Sequence, residues 1–243
     1  LGLLIDAKKE LTLIGDKSLT KRDFSRVTEP LRLFGAEIKS NKGKLPVKIL
    51  GSKFLRPINY FENIGSAQCK SSVMLASLKA PGITKIKAKK SRNHTELLFK
   101  TLDLPIKIVQ KKNYDYFYLN GENNFKSFNY KIPGDISSCS FFLVLTILSD
   151  NSKLTIKNVN VNKSRTGIVS ILNKMNAKIK FKNIKSYKNE PVADILVESR
   201  KNLKAINCPK NLNSAAIDEF LVIFLVAAKA KGISIFRDLG ELK

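Results

Sequence analysis

Two short polar segments hold the residue types best suited to binding an anion: 65–71 (Gly-Ser-Ala-Gln-Cys-Lys-Ser) and 91–96 (Ser-Arg-Asn-His-Thr-Glu). The first runs into the apolar stretch 73–78, so Ser66 and Gln68 fall where a helix is predicted to begin. A helix start offers unpaired backbone N–H groups and the positive end of the helix dipole, and both favour an anion. Arg92 adds a planar guanidinium that matches phosphate or carboxylate geometry. Together the segments predict an anion site, with phosphate as the first choice.

The same residue types also have plain structural interpretations. Ser66 and Gln68 fit an ordinary helix start, and Arg92 with Glu96 fits an exposed pair one helical turn apart. Asp218 precedes the apolar run 220–228 and fits a helix cap. Arg22 fits a solvated helix face. Taken singly, these residues leave both interpretations open.

Two kinds of element repeat along the chain and would position these segments. Amphipathic patterns end at residues that tolerate the left-handed conformation, Gly35, Asp103 and Asn176, about 70 residues apart. Mostly apolar helical runs alternate with them, and each is followed by a β-branched strand. These runs are 72–78, 141–148 and 220–228, and the strands follow at 82–86, 153–156 and 232–235. The order predicts an α/β (α+β) fold in which buried helices pack on sheets.

Composition limits the class of protein. The chain has 243 residues, of which 43% are hydrophobic and 26% charged, as in an ordinary globular protein. The longest apolar runs are too short to cross a bilayer and no signal peptide is visible, so no membrane is expected. Three widely spaced cysteines form no zinc motif and favour a reduced, cytoplasmic setting. Pro133-Gly134-Asp135 interrupts the pattern and predicts a domain boundary near Ile132.

The formal charge of +24 is the strongest compositional signal. Such a charge often accompanies nucleic-acid binding, and a basic nucleic-acid-binding module stays open as an alternative. The basic residues are mostly lysines spread over every segment, and aromatic residues of the kind that stack on bases are weakly interleaved with them. We therefore expect no specific nucleic-acid partner, and a positive field that draws in small phosphorylated substrates.

In order and spacing, six segments resemble the 5-enolpyruvylshikimate-3-phosphate synthases, enolpyruvyl transferases of the shikimate pathway. They are 15–22 (Gly-Asp-Lys-Ser-Leu-Thr-Lys-Arg), 65–71, 91–96, 133–138 (Pro-Gly-Asp-Ile-Ser-Ser), 164–167 (Ser-Arg-Thr-Gly) and 217–219 (Ile-Asp-Glu). The resemblance implies two domains of repeated βαβαββ units facing a cleft. Residues 1–132 would supply two units of one domain, and 133–243 part of the second. It also implies that the chain is an internal fragment, a monomer when complete.

The activity that the resemblance implies is transfer of the carboxyvinyl group of phosphoenolpyruvate to the 5-hydroxyl of shikimate 3-phosphate, in chorismate and aromatic amino-acid biosynthesis. Phosphate leaves through a tetrahedral intermediate, without metal or organic cofactor. Carried over by position, Ser66, Ala67, Gln68 and Arg92 would hold shikimate 3-phosphate, with Gln68 also reaching phosphoenolpyruvate. Arg22 would bind phosphoenolpyruvate, and Asp218 would be the catalytic proton acceptor.

The chain also departs from the family's pattern. Asp23 stands where proline is usual and puts a negative charge beside the expected phosphoenolpyruvate site, Asn93 stands where aspartate is usual, and Cys69 replaces an aliphatic residue. Segments that grip both substrates lie outside the chain, so we expect it to be inactive alone and to expose apolar surface. A sister transferase acting on a uridine-diphosphate sugar and a non-catalytic relative remain as alternatives.

Overall fold

The chain folds into two compact units, Leu1–Ser127 and Phe128–Lys243. The computed structural model describes residues 1–121, 127–240 and 242. Each unit has its own core of buried apolar side chains. The assignment of 1–132 and 133–243 to two domains of the family stays a prediction.

The first unit contains two sheets and the helices that cover them. Its strands are β1 (Leu11–Leu13), β2 (Glu37–Asn41), β3 (Lys44–Leu50), β4 (Asn59–Glu62), β5 (Ile83–Lys89), β6 (Ile106–Gln110) and β7 (Tyr114–Asn120). Its helices are α1 (Lys17–Thr20), α2 (Ser25–Leu33), α3 (Ala67–Ser77) and α4 (His94–Thr101). The first sheet has the antiparallel order β1-β3-β2. The second has the order β4-β5-β7-β6, in which only β4 and β5 run parallel.

The second unit repeats this arrangement. Its elements are α5 (Ile136–Leu148), β8 (Lys153–Asn160), α6 (Gly167–Lys174), β9 (Lys178–Tyr187), β10 (Glu190–Glu198), α7 (Asn213–Ala216) and α8 (Phe220–Lys229). The antiparallel sheet β8-β10-β9 matches β5-β7-β6 in order. A single parallel bridge from Gly134 to Val159 stands where β4 pairs with β5. The predicted strand–helix–strand–helix–hairpin unit is therefore present in both halves.

The chain reversals after the amphipathic helices confirm the predicted repeat. Gly35, Asp103 and Asn176 follow α2, α4 and α6, and all three have positive φ, of 108°, 51° and 70°. Each reversal feeds the strand that opens an antiparallel hairpin. One predicted strand is wrong, because residues 232–235 form no strand. Ile235 makes an isolated parallel bridge with Asn207, and Lys231, just before the segment, makes another with Lys204. The segment lies beside residues 203–208, and the hydrogen bonds between the two do not form a continuous β-ladder.

The apolar helices are less completely buried than their composition suggests. In α3, Val73, Met74 and Ala76 are fully buried. In contrast, α5 exposes 65% of Phe141 and α8 exposes 65% of Leu221, so both present an apolar face. The segment Lys210–Lys229 has the length and hydropathy of a membrane span. It is divided into short helical turns around Asp218, 39% of its apolar window is buried, and the inward side of α8 belongs to the unit's core.

Burial of Tyr60 on β4 makes stability depend on alkaline pH. Burial raises the pKa of Tyr60 to about 12, with Cys69 and Glu62 adding to the shift. An unfolded tyrosine loses its proton near pH 10 while the folded one keeps it. We expect the free energy of unfolding to fall as the pH rises from about 10 towards 12. Urea unfolding across this range checks it: Tyr60→Phe should flatten the decline, and an equal slope in both proteins would contradict the assignment.

Candidate functional site

A buried carboxylate fixes the backbone of the turn before α3. Glu62, at the end of β4, is 2% exposed and accepts hydrogen bonds from the backbone N–H of Ile64 (3.0 Å) and of Gly65 (2.7 Å). Gly65 has a φ of 92°, which few other residues adopt without strain. Ser66 then caps α3, its Oγ accepting from the N–H of Cys69 at 3.3 Å. The turn delivers Ser66, Ala67 and Gln68 as the first residues of the helix, where backbone dipoles favour an anion.

Lys70 joins this helix start to the segment that carries Arg92. Its side chain is 2% exposed, and its Nζ lies 2.5 Å from Glu96 Oε1 and donates to the carbonyl of Arg92 at 2.9 Å. The ammonium also lies 5.4 Å from the centre of the Phe117 ring. One residue further, Ser71 Oγ and Thr95 Oγ1 are 2.6 Å apart. The pair predicted as exposed, Arg92 with Glu96, is thus replaced by a buried ion pair of Glu96 with Lys70.

Arg22 is carried by a separate segment. It is exposed just after α1, and its backbone N–H donates to the carbonyl of Leu19 at 3.0 Å. The contacts that join Ser66 and Arg92 through Lys70 do not include it. Beside it, Asp23 accepts from the N–H of Ser25 at 2.8 Å, and hydrogen bonds to Ser25 lower the pKa of that carboxyl. The residue that departs from the family's pattern therefore has a local task at the start of α2.

In the second unit, a polar cluster gathers the 133–138, 164–167 and 217–219 segments. Asp135 caps α5, with Oδ2 accepting from the N–H of Ser138 at 3.1 Å. Its Oδ1 accepts from Arg165 Nη2 at 3.0 Å. Ser137 Oγ accepts from the same Arg165 nitrogen and donates to Glu219 Oε1. Three segments far apart in sequence are joined by four side chains.

Asp218 lies on the rim of this cluster. It is exposed, whereas its neighbour Glu219 is 2% exposed and bonded to Ser137. Both belong to a single 3-10 turn between α7 and α8, so fixing Glu219 also fixes the backbone of Asp218. Gly167 lets α6 pack closely against α7, the helix that leads into this turn, because a Cβ at Gly167 would lie 2.7 Å from the backbone carbon of Ala215. The cluster can orient an exposed carboxylate towards solvent or a ligand.

The thiols take no visible part in either group. Cys69 is 2% exposed and packs beside the helix start as a small apolar residue, as expected. Burial raises the pKa of the Cys139 thiol, with Asp135 adding to the effect, so it stays protonated at neutral pH. Across residues 1–121, 127–240 and 242, no group of three or more His, Cys, Asp or Glu side chains is placed to hold a metal ion.

The structure therefore places Ser66, Ala67 and Gln68 at the start of α3 and ties the backbone of Arg92 to that helix through Lys70. Arg22 and Asp218 stand on other segments. Sequence reasoning assigned no role to the side chains that hold these residues. They are Glu62, Lys70, Glu96, Asp135, Ser137, Arg165 and Glu219. All but Glu62 lie within the six segments quoted above, so the signal that could have found them was their place in those segments.

Comparison with known proteins extends the similarity from these local segments to the whole length of the chain. The sequence profile of a family described as "EPSP synthase (3-phosphoshikimate 1-carboxyvinyltransferase)" matches residues 1–243. This chain belongs to the EPSP synthase family. The 3-phosphoshikimate 1-carboxyvinyltransferases of Ruthia magnifica subsp. Calyptogena magnifica and Legionella pneumophila (strain Corby) are each 40% identical over 243 residues. The match covers 100% of this chain and 55% of each relative, so the chain spans about half their length.

Solved structures support the same family and fold. An EPSP synthase from Acinetobacter baumannii superposes with a TM-score of 0.84 at 35% identity, over 99% of this chain and 54% of that one. The enolpyruvyl transferase NikO from Streptomyces tendae superposes with a TM-score of 0.71 over 95% of this chain and 53% of its own, at 11% identity, which shows the fold alone. The predicted α/β fold of the enolpyruvyl transferase type is confirmed.

Proposed function

We propose that this chain serves the transfer of a carboxyvinyl group from phosphoenolpyruvate to the 5-hydroxyl of shikimate 3-phosphate, with release of phosphate, in the cytoplasm. The observation that carries the proposal is the Lys70 junction. In a chain whose full length matches the EPSP synthase family, it joins the first turn of α3 to Arg92. The backbone that carries the Arg92 guanidinium is thereby fixed relative to the helix start that favours a phosphate. Such preorganisation lowers the entropic cost of binding.

Each predicted residue has a task in this reaction. Ser66, Ala67 and Gln68 bind the phosphate of shikimate 3-phosphate at the helix start, and Arg92 holds the same substrate. Gln68 also reaches phosphoenolpyruvate, and Arg22 binds its charged groups with a planar fork. Asp218 accepts the proton of the 5-hydroxyl as its oxygen bonds to the central carbon of phosphoenolpyruvate. The carbon–carbon double bond of phosphoenolpyruvate opens in this step as its methylene carbon takes up a proton. Collapse of the resulting tetrahedral intermediate breaks the carbon–oxygen bond to phosphate, and loss of a proton from the methyl carbon restores the double bond.

Protection from unfolding tests the substrate half of this proposal on the chain itself. Shikimate 3-phosphate should raise the free energy of unfolding with concentration, by about 2.7 kcal/mol at a hundred times its dissociation constant. A uridine-diphosphate sugar should give no protection. Arg92→Gln should abolish the effect of shikimate 3-phosphate, whereas Arg200→Gln, on an exposed arginine of the second unit, should leave it intact.

Other outcomes would change the assignment. Protection by the uridine-diphosphate sugar and none by shikimate 3-phosphate would make the chain part of the sister transferase. Protection by neither would remove shikimate 3-phosphate binding from this chain. Equal loss of protection in Arg92→Gln and Arg200→Gln would show that general positive charge, and not the Arg92 site, binds the ligand.

A further inference from the structure

The outer face of the sheet β4-β5-β7-β6 is built from tyrosines and lysines. Along β7 the side chains of Tyr114, Tyr116 and Tyr118 share one face, because successive residues of a strand point to opposite sides. Phe117 and Leu119, on the other side, are buried in the core of the first unit. The three tyrosines are half of the six in the chain. They are concentrated on one surface, away from the core.

Pairing of the strands places a lysine opposite every one of these rings. In the β5–β7 ladder, Lys85 pairs with Tyr118, Lys87 with Tyr116 and Lys89 with Tyr114. On the other flank, Lys107 of β6 also pairs with Tyr118. Phe61 of β4 pairs with Lys87 and extends the pattern to the sheet edge. The sequence suggested weak interleaving because these lysines and tyrosines lie in different segments, and the sheet register interleaves them.

No carboxylate balances this charge on the outward positions of the four strands, all of which lie in the described part of the chain. The outward residues are Asn59, Phe61, Ile83, Lys85, Lys87, Lys89, Lys107, Val109, Tyr114, Tyr116, Tyr118 and Asn120. Glu62 and Asp115 have the opposite parity and pair with Ala88, which is buried. The face therefore presents cations and aromatic rings together, a combination that favours an anionic ligand with planar groups.

Two adjoining hollows give this face its shape. A shallow depression of about 270 Å³ is lined on its outward side by Asn59, Phe61, Lys85, Lys87, Tyr116 and Tyr118. Where β5 ends and β7 begins, a second hollow of about 420 Å³ is lined by Lys89, Lys90, Lys112, Asn113 and Tyr114. The first offers aromatic rings and the second is dominated by ammonium groups. A ligand that alternates planar and anionic groups can occupy both.

The lysines lie over the rings in the absence of a ligand. Lys87 Nζ is 4.7 Å from the ring centres of both Phe61 and Tyr114, and Lys111 Nζ is 5.1 Å from that of Tyr116. Cation–π contacts at exposed sites are weak, so a flexible ammonium can turn to a phosphate at little cost. The ring it leaves is then open to a base. On this face a lysine can therefore exchange an aromatic ring for a phosphate, and the ring can exchange the lysine for a base.

We propose that this outer face binds single-stranded nucleic acid without sequence preference, with bases stacked on the tyrosines and phosphates held by the lysines. Successive tyrosines are two residues apart, about 6.8 Å along the strand, which is roughly twice the rise of one base in a stacked strand. Each ring therefore accepts one unstacked base. A duplex hides its base faces, so single strands are favoured. The tyrosines are not among the residues of the proposed transfer reaction, of which Ser66, Ala67, Gln68 and Arg92 follow β4 and β5 while Arg22 and Asp218 stand on other segments.

The test uses the 243-residue chain, a short fluorescein-labelled oligothymidylate, the matching duplex and inorganic polyphosphate. Anisotropy should show tighter binding of the single strand than of either competitor. Its affinity should fall with salt with a log–log slope of about −3, as for four phosphate contacts on a single strand. Because the chain has no tryptophan, stacking should also appear as quenching of tyrosine emission. Shikimate 3-phosphate should not compete.

Matched variants separate this face from general charge. Lys85→Glu with Lys107→Glu should weaken oligothymidylate binding more than tenfold. Lys180→Glu with Lys182→Glu, exposed on strand β9 of the second unit, should change it far less for the same change in net charge. Tyr116→Leu and Tyr118→Leu should each weaken binding roughly tenfold and reduce the quenching, with far-UV circular dichroism checking the fold.

The proposal is wrong if polyphosphate or duplex binds as tightly as the single strand, because charge alone then explains the binding. Equal weakening by the two lysine pairs would also overturn it. So would binding without tyrosine quenching, since the bases would then lie elsewhere. Loss of folding in a tyrosine variant leaves the lysine pairs and the quenching measurement to decide.

Discussion

Lys70→Met is expected to lower the free energy of unfolding of the first unit by about 3–5 kcal/mol. The substitution keeps the length of the side chain but leaves Glu96 buried without its cation, at 4% exposure. Glu96 Oε2 already has no hydrogen-bond partner, so Lys70 is the main compensation for this charge. The carbonyl of Arg92 would lose its donor as well. Denaturant unfolding of the wild-type and variant chains measures the change.

Two further variants test whether the loss of stability comes from an unpaired buried charge. Lys39→Met removes one partner of the exposed pair with Glu37 and should have little effect, because both side chains are more than half exposed. Lys70→Met combined with Glu96→Leu should recover much of the lost stability, since no buried charge remains. This double variant should still lose protection by shikimate 3-phosphate, because the hydrogen bond from Lys70 that fixes the Arg92 carbonyl against α3 is gone. A Lys70→Met protein as stable as Lys39→Met would contradict the buried pair.

Gly167→Ala is expected to destabilise the second unit by about 1–3 kcal/mol. Alanine is normally the better helix former, so helix propensity alone predicts the opposite sign. The added Cβ would lie 2.7 Å from the carbon of Ala215, 2.8 Å from its oxygen and 2.8 Å from the nitrogen of Ala216. All three atoms are backbone and cannot rotate away. Either α6 or α7 must move, and α7 leads directly into the turn of Asp218.

Gly134→Ala is the matched control in the same unit. Its Cβ would make ordinary contacts, the nearest being 3.5 Å from the carbonyl oxygen of Asn158, so stability should be unchanged or slightly higher. The unfolding midpoints of both variants in urea, with the slopes compared, provide the measurement. If Gly167→Ala unfolds at the wild-type midpoint, α6 and α7 are not in the close contact described here.

The repeat was predictable because it depends on local chemistry. Gly35, Asp103 and Asn176 each end a helix with a positive φ, and the apolar runs that follow them in turn form α3, α5 and α8. The strand expected at 232–235 was not realised because a strand needs a continuous ladder of hydrogen bonds, and this segment makes only isolated bridges, which composition does not report. Exposed apolar surface was expected, but its place on α5 was not, since apolar content alone does not say which side of a helix is covered.

The anion-binding residues were predictable in type, and their supports were not. Ser66 and Gln68 at a helix start follow from simple rules, and Ser66 does cap α3. The buried partnership of Lys70 with Glu96 joins residues on different helices, and only the fold reveals it. The same holds for Ser137, which lies between Arg165 and Glu219 from two distant segments. The assigned roles of Arg22, Ser66, Ala67, Gln68, Arg92 and Asp218 stay predictions.

The placement of lysines at sheet borders bears on how the chain behaves at high concentration. β9 is the border strand of its sheet, and it carries Lys178, Lys180, Lys182 and Lys185 within ten residues. A border strand has unpaired backbone groups on which a second molecule can add its own strand. The lysine ammonium groups on β9 repel a second molecule that approaches this strand, because that molecule carries the same positive charge. Part of the +24 charge thus opposes strand-to-strand association of the chain into fibres. This electrostatic repulsion weakens as the salt concentration rises, because salt screens the charges.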